Sequence, residues 1–305
     1  MSKVCLVTGS SRGLGREIVT AALAAGHRVL ATARDPRTLD GLVAAHGHRV
    51  RAARLDVTDA DAAERVVREA VEAFGRLDVV VNNAGQGDRA ALEDTTLEVF
   101  RRQVDTNFYG TVYVSRAAVP VLRRQGGGRI IQISSLGGRI GSPGMSAYHA
   151  AKWAVGGFSE SLAAEVAPLG IKVTVLEPGG MRTEWAGSSM GTPPVSEPYR
   201  ATVGAAAESM RNFAAEANGD PAKVAQAVLT VSPSTSPRCV CCWARTPTRT
   251  GVERGPGGWR RTRSGGTSAS PPTTTRRRRR LPLARRPALV TRGPDPPEGR
   301  TGAAG

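Results

Sequence analysis

Near the start of the chain, the apolar run Val4-Cys5-Leu6-Val7 leads into Thr8-Gly9-Ser10-Ser11-Arg12-Gly13-Leu14-Gly15, and an amphipathic stretch of helical length follows. That glycine spacing, set between a strand and a helix, constrains the fold more than any other feature of the sequence. Gly9 permits a tight turn, Gly13 lets backbone N–H groups approach a pyrophosphate, and Gly15 allows close helix–strand packing. The helix that begins there would face phosphates with its partial positive charge. A glycine-rich loop by itself is compatible with an ordinary turn. Its position directly after a first strand and before a helix implies a dinucleotide-binding loop, with Ser11, Arg12 and Leu14 completing it.

The rest of the chain up to about Val231 repeats the same unit. Short β-branched runs predict strands at Val4–Thr8, Val29–Ala33, Ala52–Val57, Val79–Asn82, Ile130–Ser134 and Val173–Glu177. Between them, helical periodicity covers Leu14–Ala25, Ala60–Phe74, Val99–Arg124 and Tyr148–Ala167, and a last helix is expected at Pro221–Val231 with Asp220 as its N-cap. Alternation of this kind predicts an α/β fold: a doubly wound parallel Rossmann sheet, covered on both faces and joined by right-handed crossovers.

The formal net charge of +16 suggests a nucleic-acid binder until its location is considered. Ser232–Gly305 holds 16 Arg, no Lys and 3 acidic residues, which leaves residues 1–231 with only about +3. No apolar run is long enough to span a bilayer, and the start of the chain has no signal-like core. Cys5 stands alone in the body while Cys239, Cys241 and Cys242 crowd together in the tail, so no disulfide framework and no metal site is expected, and a reducing cytoplasm is the implied compartment.

An NAD-specific site usually ends its second strand on an acidic residue that holds the ribose 2′-hydroxyl. Here that strand ends Ala31-Thr32-Ala33-Arg34. Arg34 and Arg12 suit a 2′-phosphate, which predicts NADP(H) over NAD(H). Asp35, one residue on, would take the acidic role if the register shifts, and that keeps NAD(H) open.

Further along, Tyr148 and Lys152 stand four apart on one helix face. A nearby ammonium would favour the phenolate and bring the phenol toward proton exchange with a carbonyl oxygen. With the glycine loop, Asn82-Asn83-Ala84-Gly85, and the Tyr-Lys pair, the chain resembles the short-chain dehydrogenase/reductase family. The resemblance also covers Leu55-Asp56-Val57, Asn107 in Asp105-Thr106-Asn107-Phe108-Tyr109-Gly110, Ser135 thirteen residues before Tyr148, and Pro178-Gly179-Gly180-Met181-Arg182-Thr183. It implies a catalytic tetrad of Asn107, Ser135, Tyr148 and Lys152. It also implies cofactor contacts from Gly9, Ser11, Arg12, Gly13, Leu14, Gly15, Arg34, Asp56, Val57, Asn83, Ala84, Gly85, Tyr148, Lys152, Pro178, Gly179 and Thr183. Ser134, one position off the family spacing, reads as structural. The apolar residues Trp185, Met190, Tyr199, Met210 and Phe213 fall where the family closes over its substrate. They suggest a hydrophobic carbonyl compound or secondary alcohol, or else simply pack that segment onto the core.

After Val231 the pattern ends. Ser232–Gly305 lacks Ile, Met, Phe, Tyr and Lys and holds 11 of the 20 prolines, so a disordered tail is expected. The family's seventh strand is therefore missing. Reading Cys241-Cys242-Trp243-Ala244 from the third base of each codon forces Leu-Leu-Gly, an apolar strand in the place where the seventh is due. The tail thus reads as the product of a shifted frame, giving a Rossmann domain over 1–231 and an Arg/Pro/Gly-rich tail over 232–305. Loss of the strand exposes a sheet edge and argues against the homo-oligomer the resemblance implies. Two other readings are a non-catalytic NADP-binding regulator, which would not need both Tyr148 and Lys152, and a nucleic-acid-binding arm at Arg276–Arg280; nucleic acid and membrane are not the expected partners.

Overall fold

A computed structural model of the chain describes residues 2–183, 190–191, 193–215, 219–232, 250–255 and 258–263. The chain divides into two compact units, Met1–Arg249 and Thr250–Gly305. In the first, six strands form one parallel sheet: β1 (Val4–Val7), β2 (Arg28–Ala33), β3 (Val50–Arg54), β4 (Val79–Asn82), β5 (Gly128–Ile133) and β6 (Ile171–Leu176). Their order is β3-β2-β1-β4-β5-β6. The order reverses between β1 and β4, and in sheets of this kind ligands bind at the strand C-termini beside that reversal. Thr8 and Asn83, the residues that follow β1 and β4, stand there.

Side chains alternate across the sheet, so adjacent strand residues serve opposite cores. Leu6, Leu30, Val80 and Ile130 pack with Val66 and Val67 of α3 (Ala60–Phe74), Val114 and Leu122 of α5 (Gly110–Arg124), and Leu162 of α6 (Ser146–Val166). Their neighbours Val7, Val29, Val81 and Ile131 pack with Leu14, Ile18 and Val19 of α1 (Gly13–Ala24) and Val224 and Val228 of α8 (Pro221–Val231). Burial on both faces explains why these strands read as continuous apolar runs. The expected cap of α8 is present: the Asp220 carboxylate accepts from the Ala222 N–H at 2.9 Å.

Four differences from the sequence expectation have physical causes. β3 ends at Arg54 rather than Val57, because Leu55 and Val57 are buried from the loop that follows the strand. A short helix, α2 (Asp40–His46), fills the β2–β3 connection with only Leu42 buried, too little periodicity to read. A further helix, α7 (Ala205–Ala215), lies in the segment that reads as irregular. The stretch read as one helix over Val99–Arg124 is α4 (Leu97–Val104) and α5, joined by a π turn at Asp105–Tyr109.

In the second unit, β7 (Thr250–Gly255) and β8 (Gly258–Arg263) pair antiparallel, where the composition leads one to expect no strand. In their register Glu253 stands opposite Arg260. The segment where a seventh strand is due, the Cys239–Cys242 cluster and Arg276–Arg280 lie outside the described residues. No described helix is long and apolar enough to cross a membrane.

Candidate active site

The glycine loop is built by steric necessity. Gly9 has φ +67, and a Cβ on it would stand 2.9 Å from the Ala84 Cα. A Cβ on Gly15 would run into the Gly9 carbonyl oxygen and stand 2.5 Å from the Asn83 amide nitrogen. Asn83 clamps this loop, its side-chain amide donating to the carbonyls of Thr8 (2.9 Å) and Gly9 (3.2 Å). The Thr8 hydroxyl accepts from the backbone N–H groups of Asn83 and Ala84. Gly13, at φ +54, brings the loop beside Thr183, whose Cβ would lie 3.7 Å from an added methyl. The glycine loop and the Pro178–Thr183 segment therefore face one another.

Helix α1 begins without a side-chain cap and with no acidic residue in its first turn. Helix N-termini are normally capped by a side-chain oxygen, so donors left this way suit an anion. Leu14 is buried beneath the loop and offers a ligand only its backbone. Ser11 is half-buried and Arg12 is exposed at the N-cap. These residues fit a pyrophosphate.

At the end of β2, Arg34 is exposed and follows Ala33, the residue paired with Arg54 of β3. Asp35 acts locally. It caps the turn at Pro36–Leu39 and binds the Arg37 guanidinium at 2.8 Å, which holds its carboxyl below the usual range. Arg37 and Arg54 are cations at this corner that the sequence motifs do not single out. Asp56 is exposed and accepts from the Thr58 N–H and hydroxyl, shaping the turn in which Val57 buries against Gly110.

The chemical end gathers on α6 and the π turn. Asn107 is fully buried inside that turn; its amide donates to the carbonyls of Gln86 (2.7 Å) and Gln103 (2.8 Å) and its oxygen accepts from the Gln86 N–H. π turns concentrate at functional sites because the inserted residue re-aims the side chains around it. A Cβ on Gly85 would stand 2.8 Å from the Asn107 side-chain oxygen and 3.6 Å from the Lys152 ammonium nitrogen, so this glycine joins the cofactor half to the chemical half.

Ser135 ends the β5 connection and caps a tight turn, its hydroxyl accepting from the Gly137 N–H at 3.0 Å. Gly137 lies against the Tyr148 ring, where an added Cβ would be 3.0 Å from Cε1. That contact lets the Ser135 hydroxyl hydrogen-bond the Tyr148 phenol. Three links fix the turn to the end of β6: the Leu136 N–H to the Pro178 carbonyl (2.9 Å), the Ser134 N–H to the Leu176 carbonyl (2.8 Å), and a buried Arg139–Glu177 ion pair (2.6 Å). Ser134 donates to the Lys152 carbonyl at 3.2 Å. Gly179 lies between Pro178 and Met181; Met181 bridges to Gly219 just before α8.

Lys152 is buried, donates to the Ile133 carbonyl at 2.8 Å, and lies 5.9 Å from the Tyr148 ring centre. Here the chemistry departs from the expected lowering of the phenol. Burial pushes Tyr148 up to about 12, opposed only by the Ser135 hydrogen bond, and pulls Lys152 down to about 8. Desolvation by burial is the leading cause for both groups. No group of metal-ligating residues occurs among the described residues.

Three comparisons bear on this arrangement. The family model for the short chain dehydrogenases matches residues 3–193. The chain is 56% identical over 232 residues to the oxidoreductase BOA17 of Botryotinia fuckeliana, covering 76% of this chain and 85% of that protein. A short-chain dehydrogenase from Streptomyces avermitilis matches the structure with a TM-score of 0.74 at 39% identity, over 79% of this chain and 88% of the other. An alcohol dehydrogenase from Thermococcus sibiricus complexed with 5-hydroxy-NADP matches with a TM-score of 0.65 at 26% identity, over 79% of this chain and 96% of the other.

Proposed function

The chain belongs to the short-chain dehydrogenase family and is an oxidoreductase dependent on a nicotinamide cofactor, and we propose that it uses NADP(H) to interconvert a carbonyl compound of apolar body and its secondary alcohol. The observation that carries this reading is the buried Tyr148 phenol, hydrogen-bonded to Ser135 and one helical turn from Lys152. Gly9, Ser11, Gly13, Gly15 and the start of α1 would hold the pyrophosphate. Asp56, Val57, Asn83, Ala84 and Gly85 would flank the adenosine side, and Pro178, Gly179 and Thr183 the nicotinamide side. When bound, the nicotinamide supplies or accepts the hydride.

This chain's own groups handle the proton. In reduction, Tyr148 gives its phenolic proton to the substrate oxygen while the Ser135 hydroxyl holds and polarises the same oxygen. A phenol raised to about 12 stays protonated at neutral pH, which is the form that reduction consumes. Lys152 holds the cofactor side of the tyrosine, and Asn107 fixes the turn behind it through Gln86. Support for an apolar substrate comes from the buried Met145, Ala90 and Ala91 in the loops around this end and from Val203 in the π turn at Arg200–Gly204. Met190 and Tyr199 are half-buried in the covering segment, while Trp185 and the Phe213 side chain lie outside the described residues.

Preference for NADP(H) is supported by the exposed Arg34 at the end of β2 and by Asp35 being occupied with Arg37. Titration of the chain with NADPH and with NADH, read by tryptophan fluorescence, tests it. Charge-assisted contacts to a 2′-phosphate predict NADPH binding tighter by roughly 10–100-fold, with most of that lost in Arg34→Glu. Equal affinity for the two cofactors contradicts the assignment.

A further inference from the structure

Arg89 heads the largest fully buried side chains among the described residues, at 2% exposure. It lies in the β4–α4 loop, four residues beyond Gly85. Its N–H donates to the Gly191 carbonyl (2.8 Å), and the next N–H, of Ala90, donates to the Gly144 carbonyl (2.9 Å). A Cβ on Gly144 would stand 3.0 Å from the Arg89 Cγ and 2.8 Å from the Val203 Cγ1. The side chain thus sits where three stretches converge: the β4–α4 loop, the loop that leads from Ser135 to Tyr148, and the segment carrying Gly191 and Val203.

Its guanidinium is only partly satisfied. Nη1 donates to the Pro143 carbonyl at 2.8 Å, whereas Nε and Nη2 are buried with no acceptor among the described residues. Those two N–H groups form the edge of the fork that accepts a carboxylate side-on, through two parallel hydrogen bonds. The nearby acids are already committed: Asp88 to Arg102 and the Gly191 N–H, Glu93 to the Tyr199 hydroxyl, and Asp94 to the Ser196 N–H. Burial alone lowers the basicity of Arg89, with no acid opposing it. Its charge, added to burial, lowers His149, the residue next to Tyr148, whose Nδ1 accepts from the Ser142 N–H at 3.2 Å. A buried charge without a counter-charge is among the costliest arrangements in a protein, so an oxyanion from outside the chain is the natural complement.

We propose that the Nε–Nη2 edge of Arg89 binds a carboxylate of the substrate, so that the compound handled at Tyr148 is an oxo acid: a carbonyl on an apolar chain with a carboxylate at its other end. The assignment rests on Tyr148 as the site of carbonyl reduction and adds a specificity-determining residue to it. The carboxylate takes no part in bond making; it fixes which carbonyl reaches the phenol.

The test uses the full chain with NADPH and a series of straight-chain methyl ketones ending in a carboxylate, each compared with its methyl ester. The expected result is a kcat/KM for the best acid on the order of 100-fold above its ester, carried mostly by KM. In Arg89→Leu the ratio falls toward one, and Arg89→Lys, which keeps the charge but not the fork, lies between. Binding of the same pairs to the NADPH-loaded chain, read by tryptophan fluorescence, requires no turnover. It therefore still tests Arg89 if carbonyl reduction itself fails. Acid and ester handled alike by the wild-type chain overturn the proposal, whether or not the Arg89→Leu chain folds. Stimulation of ester turnover by sodium acetate would show that a free anion fills the fork, and also overturns it.

Discussion

At the glycine loop the proposed binding surface is made from backbone, while at the tyrosine end it is made from buried polar and charged side chains. In the first region Gly9, Gly13 and Gly15 clear space, Asn83 ties the loop together, and the ligand would be met by N–H groups of an uncapped helix. In the second, Arg89, Lys152 and Tyr148 are held out of water, two with basicity lowered by burial and the third with its acidity suppressed. Backbone surfaces tolerate no added atoms; charged interiors tolerate no lost partners. The two halves should therefore fail differently.

The largest effect is expected where backbone meets backbone. Gly15→Ala drives a methyl onto the Gly9 carbonyl and the Asn83 amide. Overpacking against backbone predicts a loss of about 3 kcal/mol or more and no measurable NADPH binding, checked by thermal unfolding and a fluorescence titration. A stable, cofactor-binding Gly15→Ala chain would erase the contrast between the halves.

The charged half should fail through pH instead. Lys152, pulled down to about 8, carries its charge below that pH and loses it above, whereas an exposed lysine would hold it to 10.5. Tyr148 stays protonated across this range because its own value is pushed up to about 12. The kcat for reduction should therefore drop as pH rises through about 8, with the glycine loop's affinity for cofactor phosphates changing less. A profile flat to about pH 10 would place the ammonium in a more hydrated setting.

The smallest effect separates two adjacent serines. Ser134→Ala removes a hydrogen bond to the Lys152 carbonyl and should cost about 1 kcal/mol of stability while turnover persists. Ser135→Ala, which also loses the cap on the Gly137 N–H, should cost a similar amount of stability and in addition lower kcat by on the order of 100-fold. Matching losses of kcat in both would mean that the turn, rather than the Ser135 hydroxyl, is what matters.

The same division governs what could be read from the sequence. Glycine spacing, strand runs buried on both faces and the Asp220-Pro221 cap are local signals, and α8 and β4 fall at Pro221–Val231 and Val79–Asn82 as their patterns imply. The residues of the proposed tetrad were legible as motifs, but the π turn around Asn107 was not, because its helical periodicity runs through uninterrupted. Leu55 and Val57 extended the apparent β3 because burial from a loop looks the same in sequence as burial from a strand. Arg89 had no local signal at all: an arginine in a loop reads as a solvated charge, and its partners Pro143, Gly144 and Gly191 lie far along the chain.

The most direct test of the account is NADPH oxidation by the wild-type chain against a panel of ketones, with Tyr148→Phe measured alongside and cofactor binding confirmed for both. Loss of the phenolic proton should lower kcat by roughly 1,000-fold while NADPH affinity stays within about threefold. Equal turnover in the two chains, or NADPH bound by both with no ketone reduced by either, would contradict the assignment of Tyr148 as the proton donor of a carbonyl reductase.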